Sequence, residues 1–422
     1  MRAALSQFHR DVESAAEICE EAARLRQAVN DCEVTPNQVL TVFEAWAKRL
    51  DAFGLDEVPG IVFLRMWLRR GTLEPIVSRE LGPNSLHGGW NESGRAQCKA
   101  FPLGVIGHWP AGNIEIQPIL SMTCALLGGN AALVRIPRGL GELTRLLVKK
   151  LVESDPEEIL TRRIFLAAFE HDNRDLHEAM ARVVDGAMIW GGRESVLQVR
   201  SLPFPHWAHL AVFGPRISVA AMDAAAWTNE AERDSWCARL ARDVWQFEQQ
   251  ACSSPQVLLL EKDSSHSVAE LAPSLKRAFE GENHAHPRKS IPAAMTSAIA
   301  QARTSWLLDD AGRDAVFPTT PDWTLLFGKG YEIPQPTQGR TLAILEVDNL
   351  FDPIVKFDGN IQTLGLGVKD PALEKELVEL AGRRGVDRIV KLGQMHVFTS
   401  PWDGVDIIRP MVRMVRHISS AD

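Results

Sequence analysis

The sequence predicts an α/β fold built on open parallel sheets. Beyond about residue 100, apolar runs of strand length alternate with stretches of helical periodicity, the pattern of parallel strands joined by crossover helices. Several of these runs end in a Gly- or Pro-containing turn that opens a helix, as at Trp109-Pro110-Ala111-Gly112-Asn113 and Trp190-Gly191-Gly192. Such turns lie at the carboxyl ends of strands, where open α/β sheets bind ligands. A third observation points to chemistry. Cys252 lies between a polar helix end and the apolar run Val257-Leu258-Leu259-Leu260, so flanking structure holds it in place.

The elements follow in order. The first 70 or so residues read as helical, with an acidic amphipathic helix over 11–28 and a second opening at Thr35-Pro36 and running to about 53. Next come a strand over 103–107, a helix over 113–127, a strand over 131–135, helices over 141–154 and 156–169, a strand over 186–190 and a helix after Gly192. One strand ends near Phe213 and another covers 217–222. A helix over 230–249 leads into the cysteine segment. Strands over 256–261 and 341–346, a helix over 371–384 and strands near Ile389 and His396 complete a second α/β block. Residues 281–290 and 312–339 read as long surface connections. The expected domains are a helical region 1–100 packing on the cofactor domain, a nucleotide-binding domain 101–220, a catalytic domain 221–400 and a C-terminal segment 401–422. The main boundary falls near 215–225.

Composition narrows the class. A chain of 422 residues, 45% hydrophobic and 24% charged, buries a large core without disulfides or metals. A net charge of −8 argues against nucleic acid or acidic lipid as partner, while leaving room for the few cations an anionic cofactor needs. The cysteines (Cys19, Cys32, Cys98, Cys124, Cys237 and Cys252) show neither C-x-x-C pairs nor zinc spacing, so no metal is expected and a reducing, cytoplasmic compartment fits best. Residues 1–10 carry no apolar signal core. The uncharged stretch 116–134 is broken by Gly128-Gly129-Asn130 and reads as helix, turn and strand rather than a membrane span. G-x-G-x-x-G, Walker, H-E-x-x-H and G-x-S-x-G motifs are all missing.

Four segments join the cysteine run. Asn113 ends a strand–turn sequence, where it serves either as a helix N-cap or as an amide donor to an oxyanion. Gly128-Gly129-Asn130 leads into a strand with Arg135 near its carboxyl end, placed for a ribose or phosphate, or for an ordinary ion pair. Trp190-Gly191-Gly192 ends a strand at a helix N-terminus, either a plain β–α turn or one suited to a pyrophosphate. His209-Leu210-Ala211-Val212-Phe213-Gly214-Pro215 brings a strand into a sharp turn.

The order of these segments and of Gln250-Ala251-Cys252 resembles the aldehyde dehydrogenase superfamily. Within it the chain is most similar to the long-chain fatty-acyl-CoA reductase branch of bacterial luminescence. Trp190-Gly191-Gly192, Phe213-Gly214-Pro215, Asp243 with the block from Gln250 to Gln256, Ile361-Gln362-Thr363 and Trp402-Asp403-Gly404 carry the likeness over roughly residues 100–415. The resemblance implies a Rossmann-like cofactor domain and an α/β catalytic domain. It implies catalytic roles for Cys252 and Asn113, and cofactor contacts from His108, Trp109, Arg135, Trp190, Gly191, Gly192 and Gly214. Ordinary members carry a glutamate before the glycine of the fourth segment to activate water; Val212 and Phe213 stand here, both apolar. That departure favours exchange with a thiol carrier over release of a free acid, although Glu194, His206 or His209 is a possible substitute base. The implied reaction passes an acyl group from acyl-CoA or another acyl thioester to Cys252, where NADPH, or NADH, reduces it to an aldehyde. A homo-oligomer and an acyl-transferring partner enzyme or carrier protein are the implied partners. The alternatives are an oxidising aldehyde dehydrogenase, hydrolytic or CoA-acylating, and a non-catalytic acyl-binding subunit.

Overall fold

The computed structural model describes residues 8–55, 58–137, 141–309 and 313–418. Residues 1–7 of the leader reading and residue 312, where a long connection is expected to start, lie outside these. The chain divides into two compact units, Met1–Pro215 with Phe398–Asp422, and Arg216–Val397.

The first unit contains β1 (His9–Asp11), β2 (Asn91–Ser93), β3 (Ala96–Pro102), β4 (Val105–Trp109), β5 (Ala131–Ile136), β6 (Ile164–Ala168), β7 (Gly186–Trp190) and β8 (His209–Phe213). Six of them form a parallel sheet in the order β1-β6-β5-β4-β7-β8. Helices cover its faces, so its central strands are largely apolar; every residue of β4 and β6 is buried, His108 included. Strand order reverses at β4, which makes the carboxyl ends of β4 and β7 a topological switch point. Helix Ala15–Asp31 packs Ile18 and Leu25 into the cluster that holds Val105 and Leu133.

The second unit contains β9 (Ile217–Met222), β10 (Pro255–Glu261), β11 (Asp314–Val316), β12 (Thr324–Lys329), β13 (Thr341–Val347), β14 (Ile361–Gly367) and β15 (Arg388–Lys391), in the order β11-β12-β13-β10-β9-β14-β15. All its pairs are parallel except β11 with β12. Alternate residues feed opposite faces. Leu258, Leu260, Leu342 and Ile344 join one core, and Val257, Leu259, Ala343 and Leu345 the other. The chain then returns to the first unit, where β16 (Val412–His417) pairs antiparallel with β3, and β3 with β2. The return is anchored at Glu80, a buried carboxylate that accepts Ile408 and Arg409 N–H groups at 2.7 and 2.8 Å, besides the Ser400 hydroxyl.

Several elements differ from expectation. Residues 156–169 are not a helix. Asp155 accepts the N–H groups of Ile159, Leu160 and Thr161 at 2.9, 2.8 and 2.7 Å, which closes a turn, and Ile164-Phe165-Leu166-Ala167-Ala168 then becomes β6. The helix expected from Asn113 begins at Gln117, with Ile116 as N-cap, so Asn113 is not the cap. His396 lies in a turn rather than a strand. Helix Ala272–Ala285 takes up the first part of 281–290, and 312–339 contains β11 and β12. Strand β1 and helix Ala293–Leu308 are additions.

Candidate active site

The second unit holds the nucleophile candidate at the amino ends of β9, β10 and β14. The helix Glu230–Trp245 ends, and Phe247, Glu248 and Gln249 follow with φ of 55°, 55° and 59°. Three consecutive left-handed residues, none of them glycine, are costly and persist only under strong local constraint. Two neighbouring side chains provide that constraint. The Glu248 carboxylate meets Arg288 at 2.7 Å and also pairs with Arg340. The buried Gln249 amide donates to the carbonyls of Pro255 and Thr341, both at 2.8 Å, and accepts the Thr341 N–H at 2.7 Å. The loop is thereby strapped to β10 and β13.

Cys252 emerges from this loop half-buried. The Ser218 hydroxyl donates to its carbonyl at 2.6 Å, and the Gln362 amide donates to its Sγ at 3.1 Å. The next residue is fixed as well. Ser253 Oγ lies 2.9 Å from Nδ1 of His396, and His396 Nε2 lies 2.7 Å from the Asp243 carbonyl. A carbonyl only accepts, so the proton sits on Nε2 and Nδ1 accepts from Ser253. Burial holds the His396 pKa down at about 4, so the ring is neutral. The Asp243 carboxyl accepts the Gly393 N–H at 2.6 Å, yet burial raises its pKa to about 7. Two other cysteines contrast with Cys252. Burial pushes the Cys237 thiol up to about 12 and raises that of Cys124, as befits inert core thiols.

The first unit holds the cofactor candidates around its switch point. Asn113 is exposed in the turn after β4. Gly191 and Gly192 follow β7, and Gly192 caps helix Arg193–Arg200 with open space where a Cβ would stand. Gly214 follows β8 and is equally open. Trp190 is held flat against Phe213, with ring centroids 3.8 Å apart and planes 11° apart, and its indole N–H donates to Ser121 Oγ at 2.9 Å. Phe213, one of the two apolar residues where the resemblance implies a carboxylate, is thus packed against the Trp190 ring. Arg135 donates to the Phe169 carbonyl at 3.1 Å; its Nε has no hydrogen-bond partner among the described residues.

His108 and Trp109 sit deeper. His108 is wholly buried beside Ser121, with Nδ1 at 2.8 Å from Oγ, and burial holds its pKa at about 3. Trp109 is buried and its indole N–H donates to His177 Nδ1 at 2.9 Å. Both brace β4 from inside. Among the described residues there is no group of His, Cys, Asp and Glu suited to a metal, and no helix long and apolar enough to cross a membrane.

Sequence inspection marked Cys252, Trp190 and the glycine turns by their flanks. Ser218, Gln249 and Ser253 lay in the segments around Cys252 without being given a part in the cysteine's setting, and His396 was read only as near a strand. Gln362 and Asp243 stood in quoted runs without a role. Their contacts join segments far apart in the chain, and a local pattern carries no signal for that.

Comparison with known proteins agrees with this architecture. Among solved structures, an NADP-dependent enzyme of E. coli superposes with a TM-score of 0.72 at 10% identity, over 95% of this chain and 90% of its own. An NAD-dependent aldehyde dehydrogenase from Sinorhizobium meliloti gives 0.70 at 12% identity, over 97% and 88%. The fold is that of the aldehyde dehydrogenases. Long-chain acyl-protein thioester reductases are similar in sequence, that of Vibrio harveyi at 23% identity over 83% of this chain and 71% of its own, and that of Photorhabdus luminescens at 24% over 83% and 70%. The family model for acyl-CoA reductase (LuxC) matches residues 15–416, including the helical N-terminal region as well as residues 100–415. With that match across both units, the chain belongs to the acyl-CoA reductase (LuxC) family of oxidoreductases.

Proposed function

We propose that this protein reduces an acyl thioester to an aldehyde through an acyl group carried on Cys252. The observation that carries the proposal is the cysteine's setting: a half-buried thiol on a strapped loop, with an amide donor on its sulfur. The Cys252 thiolate attacks the thioester carbonyl, the new S–C bond forms, and the carrier thiolate leaves. This exchange is nearly neutral in energy and needs no activated leaving group. The Asn113 amide and the Cys252 backbone N–H are the proposed donors to the oxyanion. Val212 and Phe213, both apolar, stand where the resemblance implies a water-activating glutamate, which favours survival of the acyl-cysteine in water.

The residues of the first unit suit a dinucleotide. Gly192 and Gly214 leave room for close approach, the helix opening at Gly192 favours an anion, and Trp190 offers a fixed ring. Arg135, with its unpartnered Nε, is the proposed contact for a ribose phosphate and the reason to prefer NADPH over NADH. When bound, the reduced nicotinamide supplies hydride; the protein supplies position and charge. The proposed acyl donors are acyl-CoA or an acylated carrier protein. Free cysteines on the surface fit a cytoplasmic setting, and a homo-oligomer is the proposed assembly.

The test is intact-protein mass spectrometry after incubation with a panel of acyl thioesters. An acyl adduct is expected on the native chain and none on Cys252→Ala. An adduct that persists on the variant would refute the proposal.

A further inference from the structure

Gln362 owes its position to an irregularity. Ile361 pairs with Ile217 and Thr363 with Ser218, so Gln362 is an extra residue in β14. Such a bulge re-aims a side chain, and here the wholly buried amide reaches Cys252 Sγ. Behind it stands a series of donors with one direction. Buried Arg388, directly across from Thr363 on β15, donates to Thr363 Oγ1 at 3.1 Å; Thr363 donates to Gln362 Oε1 at 3.4 Å, the weakest link; Gln362 donates to the sulfur at 3.1 Å. Arg388 is itself fixed by the carbonyls of Met395 and Val397 at 3.2 and 3.0 Å.

We propose that Arg388, Thr363 and Gln362 form a polarised donor chain that stabilises the Cys252 thiolate, and that Gln362 also decides the fate of the acyl-enzyme by being an amide. The second part rests on the reading of Cys252 as acyl acceptor. Hydrogen bonds aligned in one direction strengthen one another, and a cation at the far end raises the donor power of the last N–H. The other charged or titratable groups around the loop are arranged differently. His396 is neutral and bound through Ser253, the Asp243 carboxyl faces Gly393 and Met395, and Glu248 is matched by Arg288 and Arg340. An amide at the sulfur cannot take a proton from water. A carboxylate there could: water oxygen would bond to the acyl carbon, its proton would pass to the carboxylate, and Sγ would leave as thiolate.

The experiment uses the full chain. Iodoacetamide labelling of Cys252 is followed by peptide mass spectrometry across the pH range, with circular dichroism melts to confirm folding. The midpoint should rise by about one pH unit in Gln362→Leu, by less in Thr363→Val, and stay native in Thr363→Ser. With decanoyl-CoA, Gln362→Glu should release decanoate from an acyl-enzyme that is long-lived in the native chain. A native midpoint in folded Gln362→Leu overturns the chain, as does a Thr363→Ser variant that behaves like Thr363→Val. Should Gln362→Leu fail to fold, the Thr363 pair decides. If the midpoints shift but Cys252 never acquires an acyl group, the nucleophile reading fails and the donor chain stands. If it is acylated and no midpoint moves, only the donor chain fails.

Discussion

Asn113 and Cys252 show what a single residue discloses in sequence and what it withholds. Cys252 was legible because a helix end and a buried strand flank it at short range. Asn113 was legible as a residue after a strand, but its two roles could not be separated until the helix was seen to start at Gln117. With the N-cap role removed, the donor role is the one that remains proposed for Asn113. Asn113→Ala is expected to lower kcat by about 10²–10³ with little change in dinucleotide affinity. Steady-state rates set beside a binding titration check this; full turnover would remove Asn113 from the oxyanion hole. Gln362 and Ser218 were illegible for a physical reason. Their importance comes from a one-residue slip in strand pairing and a cross-strand hydroxyl, and neither leaves a mark in hydrophobic periodicity.

Elements with long, regular apolar patterns were read well, and β7 and β9 fall at their expected bounds. Errors collected where a side chain competes with the backbone for its own hydrogen bonds. Asp155 is the clearest case. It draws three consecutive N–H groups and the Thr161 hydroxyl onto one buried carboxylate, so the following residues form a turn and a strand instead of a helix. Removing it should strand those donors. Asp155→Ala is expected to lose about 2–3 kcal/mol in urea unfolding, with Asp155→Asn losing less. Equal stability of all three chains would mean water satisfies the turn. Strand β12 escaped notice because Pro- and Gly-containing segments on both sides disguise a short buried run.

For the whole molecule, parallel sheets were legible from alternation of strand and helix. The interruption of the first unit by the second was not, because no composition shift marks the return at Phe398. Stability should carry a pH signature from groups buried in both units. His108, His177 and His396 have pKa values pushed down to about 3, 4 and 4 by burial, from an ordinary 6.5. Their contribution is complete above pH 6.5 and is lost as pH falls toward 4, because the unfolded chain binds the protons. Asp243 acts in the opposite sense. Raised from 3.8 to about 7, it contributes stability below pH 3.8 that disappears as pH rises through 7. Asp243→Asn should therefore gain on the native chain in thermal midpoint as pH climbs across that window. Melts followed by tryptophan fluorescence at several pH values test this, and parallel curves would contradict it.

The Glu80 anchor has a consequence for biosynthesis. Its carboxylate is sealed by Ser400, Ile407, Ile408 and Arg409, and Asn130 likewise donates to the Met411 carbonyl at 2.8 Å. A nascent chain leaving the ribosome reaches these partners only after every strand of the second unit's sheet has emerged. The half translated first is thus the half completed last, and a polypeptide stopped near residue 397 would leave an ionisable group in its interior with no donors from the missing tail.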